Sequence, residues 1–285
     1  MIRKKSFDGT PTLYLVATPI GNLEDITYRA IHILNDVDKI YAEDTRNSLV
    51  LLNHYQIKTH LESYHEFNQE IKTKDIINEL LNGMNIAIIT DAGLPVISDP
   101  GFKIAREARN QGIAVTTIPG ASAGISALVA SGLPPKPYTF YGFLDSKSSI
   151  RINELNNLKF LKSTLIFYEA PHRISESLTD MREVLGNRNA VIARELTKKH
   201  EEYVCGTLEE LINASNLKGE MVVLVEGYLE EGTTILNPNE KIDELISLGY
   251  KPNEAIKEVA KMMNQSRNDI YKAYALYKRG NNEEN

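Results

Sequence analysis

The chain has 285 residues, of which 42% are hydrophobic and 25% charged, so pervasive disorder is excluded and one large or two medium domains are expected. Its 32 basic and 38 acidic residues give a formal charge of −6, which excludes a surface carpeted with phosphate-binding cations and restricts any nucleic-acid contact to a local patch. The single cysteine, Cys205, excludes an internal disulfide and a cysteine metal cluster, and it fits a reducing, cytoplasmic setting.

Near the start, the apolar run 13–17 is too short for the core of a signal peptide. No stretch approaches the roughly 18 apolar residues of a membrane span, so no membrane segment is expected. Short Ile- and Val-rich runs at 13–18, 39–44, 85–90 and 113–118 are predicted as buried strands. Amphipathic stretches at 28–35, 47–55, 66–81 and 102–110 are predicted as the helices between them. Alternation of this kind implies a mostly parallel α/β sheet, and we assign it to a domain over 1–120. After the Pro-rich segment GLPPKPY, strands are predicted at 138–143, 163–169, 189–196, 201–207 and 220–227, with helices at 171–185 and 207–215. Thr207 with Glu210 forms a capping pair for the last of these. A second, mixed α/β domain is therefore expected over 121–230.

Residues 230–240, rich in Gly, Pro and Asn, read as a linker. Beyond it, 240–250, 252–263 and 266–280 are helical patterns without a strand, and we assign 238–285 to a small helix-turn-helix-like unit. Over 261–280, Lys261, Arg267, Lys272, Lys278 and Arg279 face one acid, Asp269, making the last helix a basic feature on an acidic chain. Tyr271, Tyr274 and Tyr277 are interleaved with these cations; they can stack on bases or pack inward, and Tyr274 is the first expected in the core.

Six segments leave predicted strands carrying polar or conformationally special residues. ATPIGN (17–22) puts Pro19 and Gly21 where open α/β sheets bind ligands, although a plain tight turn accounts for it equally. AEDTRNS (42–48) gathers Glu43, Asp44 and Arg46; these suit substrate contacts or acid–base work, and Asp44 or Thr45 equally suits a helix cap. DAGLPVISDPG (91–101) holds more turn chemistry than a connection of about 2–6 residues needs, which favours a binding loop. PGASA (119–123) opens a helix with small residues that admit close contact. FYEAPHR (167–173) and RELTK (194–198) complete the set. Glycine motifs for dinucleotides and nucleoside triphosphates are absent, as are the histidine spacing of zinc hydrolases and the serine elbow of α/β-hydrolases. No metal ligand is assigned.

In these six segments the sequence resembles the ribosomal RNA small-subunit methyltransferase I family, bacterial enzymes of the tetrapyrrole-methylase fold that 2′-O-methylate a cytidine in the decoding site of 16S ribosomal RNA. The resemblance spans about residues 12–227, and the terminal helices fit that family's small terminal domain. It implies two α/β domains with S-adenosylmethionine in the cleft between them. It further implies cofactor contacts from Pro19, Asp91, Gly93, Leu94, Ser122, Ala123, Tyr168, Ala193 and Arg194. Here the family's Gly-Asp-Pro loop reads Asp-Ala-Gly, so Asp91 is the residue that transfers directly. The resemblance also implies a homodimer acting on 16S ribosomal RNA within the small subunit.

A ribose hydroxyl is a weak nucleophile, so a base or cation beside it helps; Asp44, Glu169, His172, Glu195 and Lys198 are the unranked candidates. Arg46, Arg173, Arg267, Lys272, Lys278 and Arg279 are the candidate RNA contacts, joined at the cleft by Arg194 and Lys198. Two other readings compete: a small-molecule methylase of the same fold acting on a tetrapyrrole, and a non-catalytic RNA- or DNA-binding regulator working through 238–285.

Overall fold

A computed structural model describes residues 5–6, 9–65, 67–97, 101–214, 218–229, 238–263 and 265–281, with side chains to residue 278. The chain forms two compact units, Met1–Gly227 and Tyr228–Asn285. Both α/β halves expected from sequence lie in the first. The predicted linker lies mostly outside the described residues.

In the first half, β1 (Thr12–Val16), α1 (Tyr28–Asp36), β2 (Lys39–Ala42), α2 (Thr45–His54), β3 (Leu61–Ser63), α3 (Gln69–Leu81), β4 (Ile86–Ile89), α4 (Phe102–Asn110) and β5 (Ala114–Ile118) alternate. The strands make one parallel sheet in the order β3-β2-β4-β1-β5. The central strand β4 is a fully apolar run, Ile86–Ile89, as a strand covered on both faces requires. Ala30, Leu34 and Leu52 from α1 and α2 pack with Val16, Ile40 and Ile89 on one face. Ile76, Leu80 and Ile104 from α3 and α4 pack with Leu13, Ile86 and Ile88 on the other. Right-handed crossovers thus send β2 and β4, which are neighbours, into helices on opposite faces. The carboxyl ends of β2 and β4 consequently open a crevice, the usual ligand position of such sheets.

Helix α2 begins two residues before the predicted helix because Asp44 caps it, its side chain accepting the Arg46 amide. Strand β3 was not predicted at all; its three half-buried residues carry no apolar run.

Helix α5 (Ala123–Ala130) leads into the second half, composed of β6 (Tyr138–Phe143), α6 (Ser148–Leu158), β7 (Thr164–Glu169), α7 (Ile174–Leu185), β8 (Asn189–Arg194), β9 (Glu202–Thr207), α8 (Leu208–Ile212) and β10 (Met221–Val225). Its sheet is mixed, ordered β6-β7-β10-β8-β9, with only β6 and β7 parallel. Strand periodicity sorts the faces: Leu165 and Phe167 point to the layer of α6, α7 and α8, while Ile166 and Tyr168 point to α5.

In the second unit, α9 (Pro238–Ser247), α10 (Pro252–Met262) and α11 (Arg267–Asn281) bury Ile242, Ile256, Val259, Ile270 and Tyr274. No helix among the described residues is long and apolar enough to cross a membrane.

Candidate active-site cleft

The crevice between β2 and β4 is a cavity of about 520 Å³ lined by Glu43, Asp44, Thr45 and Arg46 after β2, Ser63, His65 and Phe67 after β3, and Asp91 after β4. Asp91 is tied across it: one carboxylate oxygen accepts the Asn47 side-chain amide at 2.7 Å and the other the Asp44 backbone amide at 3.3 Å. Arg46 grips the Asp44 carboxylate with two nitrogens, at 3.1 and 2.6 Å, while remaining 88% exposed. The Arg46 side chain, followed by its backbone amide, pulls the Asp44 carboxyl down to about 2.

From Asp91 the loop turns back to β1. Thr18 and Gly93 exchange two backbone hydrogen bonds, at 2.9 and 3.1 Å, and the Thr18 hydroxyl donates to the Thr90 carbonyl. Gly93 has φ +79°, which favours glycine, and a side chain there would meet Ile20 and the Ala121 carbonyl. Gly120 lies so close to Ala17 that an added Cβ would stand 2.7 Å from the alanine's own. The loops after β1, β4 and β5 thus touch through small residues. Pro19 is buried in the first of these loops.

The second half meets this edge at two places. The Tyr168 hydroxyl accepts the Gly124 amide at 3.3 Å in the first turn of α5, whose N-cap Ser122 forms no side-chain cap. The loop after β8 sits on Gly21, where an added Cβ would be 2.7 Å from Lys198 and 2.8 Å from the Thr197 hydroxyl. That loop is strained: Glu195 and Thr197 have φ of 51° and 65°. The Thr197 hydroxyl is buried with no hydrogen-bond partner. Lys198 reaches Glu195 at 3.0 Å and Glu220 at 2.9 Å. Burial lowers the Lys198 pKa, but the two carboxylates outweigh it and keep the ammonium protonated above its usual range. Lys198 in turn draws Glu195 down.

The candidates therefore separate. Asp44, Arg46 and Asp91 share the cavity, and Pro19, Gly93, Leu94, Ser122, Ala123 and Tyr168 lie along the adjoining loops, with Glu195 and Lys198 against Gly21. Ala193 is fully buried inside β8, while Arg194 pairs across the sheet with Glu202 of β9. Glu169 and Arg173 stand apart, because Glu169 points to the face opposite Tyr168. Its carboxylate accepts Arg173 at 2.8–2.9 Å, the Ala170 amide at 2.8 Å and the Ser177 hydroxyl. His172 is exposed in the turn before α7. Arg267, Lys272 and Lys278 lie on α11 of the second unit, and the Arg279 side chain is outside the described residues. Lys278 is committed to Asp243 at 2.8 Å, and Tyr274 donates to that same carboxylate.

Sequence reasoning missed Ser63, His65 and Phe67. The available signal was topological: predicted helices at 47–55 and 66–81 had no strand between them, which a parallel alternation does not allow.

The sequence profile of the Tetrapyrrole (Corrin/Porphyrin) Methylases matches residues 12–212. Ribosomal RNA small subunit methyltransferase I of Halalkalibacterium halodurans is 48% identical over 276 residues, covering 94% of this chain and 96% of its own. The protein of the same name from Bacillus subtilis is 45% identical over 287 residues, covering 96% and 98%. Among solved structures, diphthine synthase superposes with a TM-score of 0.60 at 13% identity, covering 78% of this chain and 92% of its own. Uroporphyrin-III-C-methyltransferase from Thermus thermophilus superposes with 0.53 at 20% identity, covering 75% and 93%. These two share the fold. By its sequence and its two-sheet architecture together, the chain belongs to the ribosomal RNA small subunit methyltransferase I family of tetrapyrrole methylases.

Proposed function

We propose that this protein transfers a methyl group from S-adenosylmethionine to the ribose 2′ oxygen of a cytidine in the decoding site of 16S ribosomal RNA, acting in the cytoplasm as a homodimer on the small ribosomal subunit. One observation carries the reading: relatives named for small-subunit ribosomal RNA methylation match 94–96% of the chain, whereas the tetrapyrrole-methylase profile ends at residue 212. The match therefore extends into the helical unit with the basic α11, which a porphyrin methylase does not need. This weighs against the small-molecule alternative.

The residues present fit S-adenosylmethionine. The small-residue contact of the β1, β4 and β5 loops brings three strand ends together at one edge, and Thr197 offers a buried hydroxyl without a partner. Pro19, Asp91, Gly93, Leu94, Ser122, Ala123 and Tyr168 would hold it, the start of α5 favouring its carboxylate. When bound, it supplies a methyl group activated by a sulfonium. The chain's own task is positioning, since holding an acceptor oxygen in line at about 3 Å accounts for much of such a barrier. Of the five base candidates, Glu169 is occupied by Arg173 and Ser177, and Lys198 is held protonated. Asp44 is the one of the five that lines the cavity, and its carboxylate, held ionised by Arg46, accepts a hydrogen bond from the acceptor hydroxyl and orients it in this scheme.

The test is methyl transfer from labelled S-adenosylmethionine to small subunits from a strain lacking this protein, with the product nucleoside identified by mass spectrometry. A 2′-O-methylated cytidine in the decoding region is expected. Bound cofactor with no transfer to RNA would overturn the RNA assignment and return weight to a small-molecule acceptor.

A further inference from the structure

The cavity after β2, β3 and β4 has an acidic and aromatic lining that extends past Asp44 and Asp91 to Glu43, His65 and Phe67. Three carboxylates, Glu43, Asp44 and Asp91, line it against one guanidinium, and that guanidinium is locked to Asp44 at 2.6 Å. A phosphate is repelled from such a wall, while a neutral ligand rich in hydrogen-bond donors is attracted. Asp91 already accepts two bonds, and two carboxylate oxygens provide about four acceptor sites, so acceptor capacity remains. At the rim stands Phe67, 95% exposed, its ring centroid 6.1 Å from that of His65 and edge-on to it. An aromatic ring so exposed beside a cavity is a ready stacking surface for an unpaired base. His65 has its Nδ1 buried without a partner, and no described residue bonds its Nε2. At about 520 Å³ the cavity falls in the usual small-ligand range of about 300–1,000 Å³.

Resting on the function proposed above, we propose that this cavity seats the acceptor nucleobase and selects one bearing an exocyclic amino group, cytosine over uracil. The amino group donates to the acidic wall, Phe67 stacks on the ring, and His65 contributes a polar contact through Nε2. Uracil places a carbonyl oxygen where the amino group of cytosine stands, so two acceptors face each other and the contact turns repulsive.

The experiment compares methyl transfer to small subunits carrying cytidine or uridine at the modified position, with wild-type enzyme and the F67A, H65L and H65Q variants. Wild-type kcat/KM is expected to fall about tenfold to a hundredfold on uridine, the discrimination of one good base contact. F67A is expected to raise KM about tenfold or more with kcat little changed, as loss of uniform stacking does. H65L is expected to raise KM for cytidine severalfold, and H65Q, whose amide reaches the Nε2 position, to restore it. S-adenosylmethionine affinity by calorimetry establishes that each variant is folded. Equal rates on cytidine and uridine would overturn the base-selective pocket while leaving the methyltransferase standing, as would F67A and H65L that match wild type. Absence of wild-type transfer to any ribosomal RNA would instead bring down the function itself, and the pocket assignment with it.

Discussion

In the first sheet, β2 and β4 deliver Asp44 and Asp91 to an open cavity. In the second, β7 and β8 also end in charged residues, yet Glu169 is closed over by Arg173 and Ser177 and Arg194 is spent on its cross-strand neighbour Glu202. Both pairs look alike in sequence, as a polar exit from an apolar strand. They differ in what happens next. Neighbouring strands of the parallel sheet send their helices to opposite faces, so their ends part and leave space. In the mixed sheet β10 runs antiparallel between β7 and β8, and charged residues at this edge find partners within the fold.

The sharpest way to break this comparison is to remove one carboxylate from each sheet. Glu169→Ala leaves the Arg173 guanidinium, only 19% exposed, without its ion partner. The expected loss is about 3–5 kcal/mol in urea unfolding, with S-adenosylmethionine affinity unchanged in the folded protein. Asp91→Ala is expected to do the reverse: cofactor binding is lost by calorimetry, while stability moves by about 1 kcal/mol, the worth of two exposed hydrogen bonds. A stable Glu169→Ala protein that no longer binds cofactor would place that residue in the site and erase the distinction between the sheets.

How far the sequence reveals this depends on what each element buries. Strands covered on both faces, such as 86–89 and 221–225, are legible because every residue is apolar. The mixed second sheet and the three terminal helices were likewise anticipated. Helix α6 was not, because its buried side includes Arg151, 1% exposed and clasped by Asp180 at 2.7 Å, and a charge there hides the apolar period. Strand β3 was hidden because it is short and half-polar, and with it went His65 and Phe67. Tyr168 and Glu169 show the limit most clearly: adjacent in the chain, they serve opposite faces, and the two-residue period of STLIFYE separates them without saying which face meets the site.

A finer comparison runs along β2 itself, which ends in the open cavity but begins in a closed ion network. Lys39, at its start, contacts Glu62 at 3.0 Å and Glu79 at 2.5 Å, and Tyr41 donates to Glu79. Hydrogen bonds from Lys72 and then Lys39 pull the Glu62 carboxyl to about 2 from its ordinary 4.5. A folded-state value below the unfolded one contributes stability that is complete above about pH 4.5 and is lost as pH falls toward 2. Glu62→Gln is expected to cost about 1 kcal/mol at neutral pH and to flatten the acid limb of the stability profile in that window. An unchanged acid limb would mean the network does not hold the strand.

The same contrast between committed and uncommitted charge can be tested on α11, where the expected effect is smallest. Lys272 is exposed, whereas Lys278 is held by Asp243 at 2.8 Å with its ammonium 5.5 Å from the centre of the Tyr274 ring. If this helix grips phosphates, Lys272→Glu should weaken RNA binding and reduce the slope of log affinity against log salt by about 1. Lys278→Glu should leave that slope nearly intact and instead loosen the three-helix unit, because it sets a carboxylate against Asp243 where the ion pair stood. Equal slopes for the two variants and the wild type would show that α11 makes no phosphate contact through either residue. The fall in slope must therefore follow the lysine that the fold leaves uncommitted, although both sit on the same basic helix.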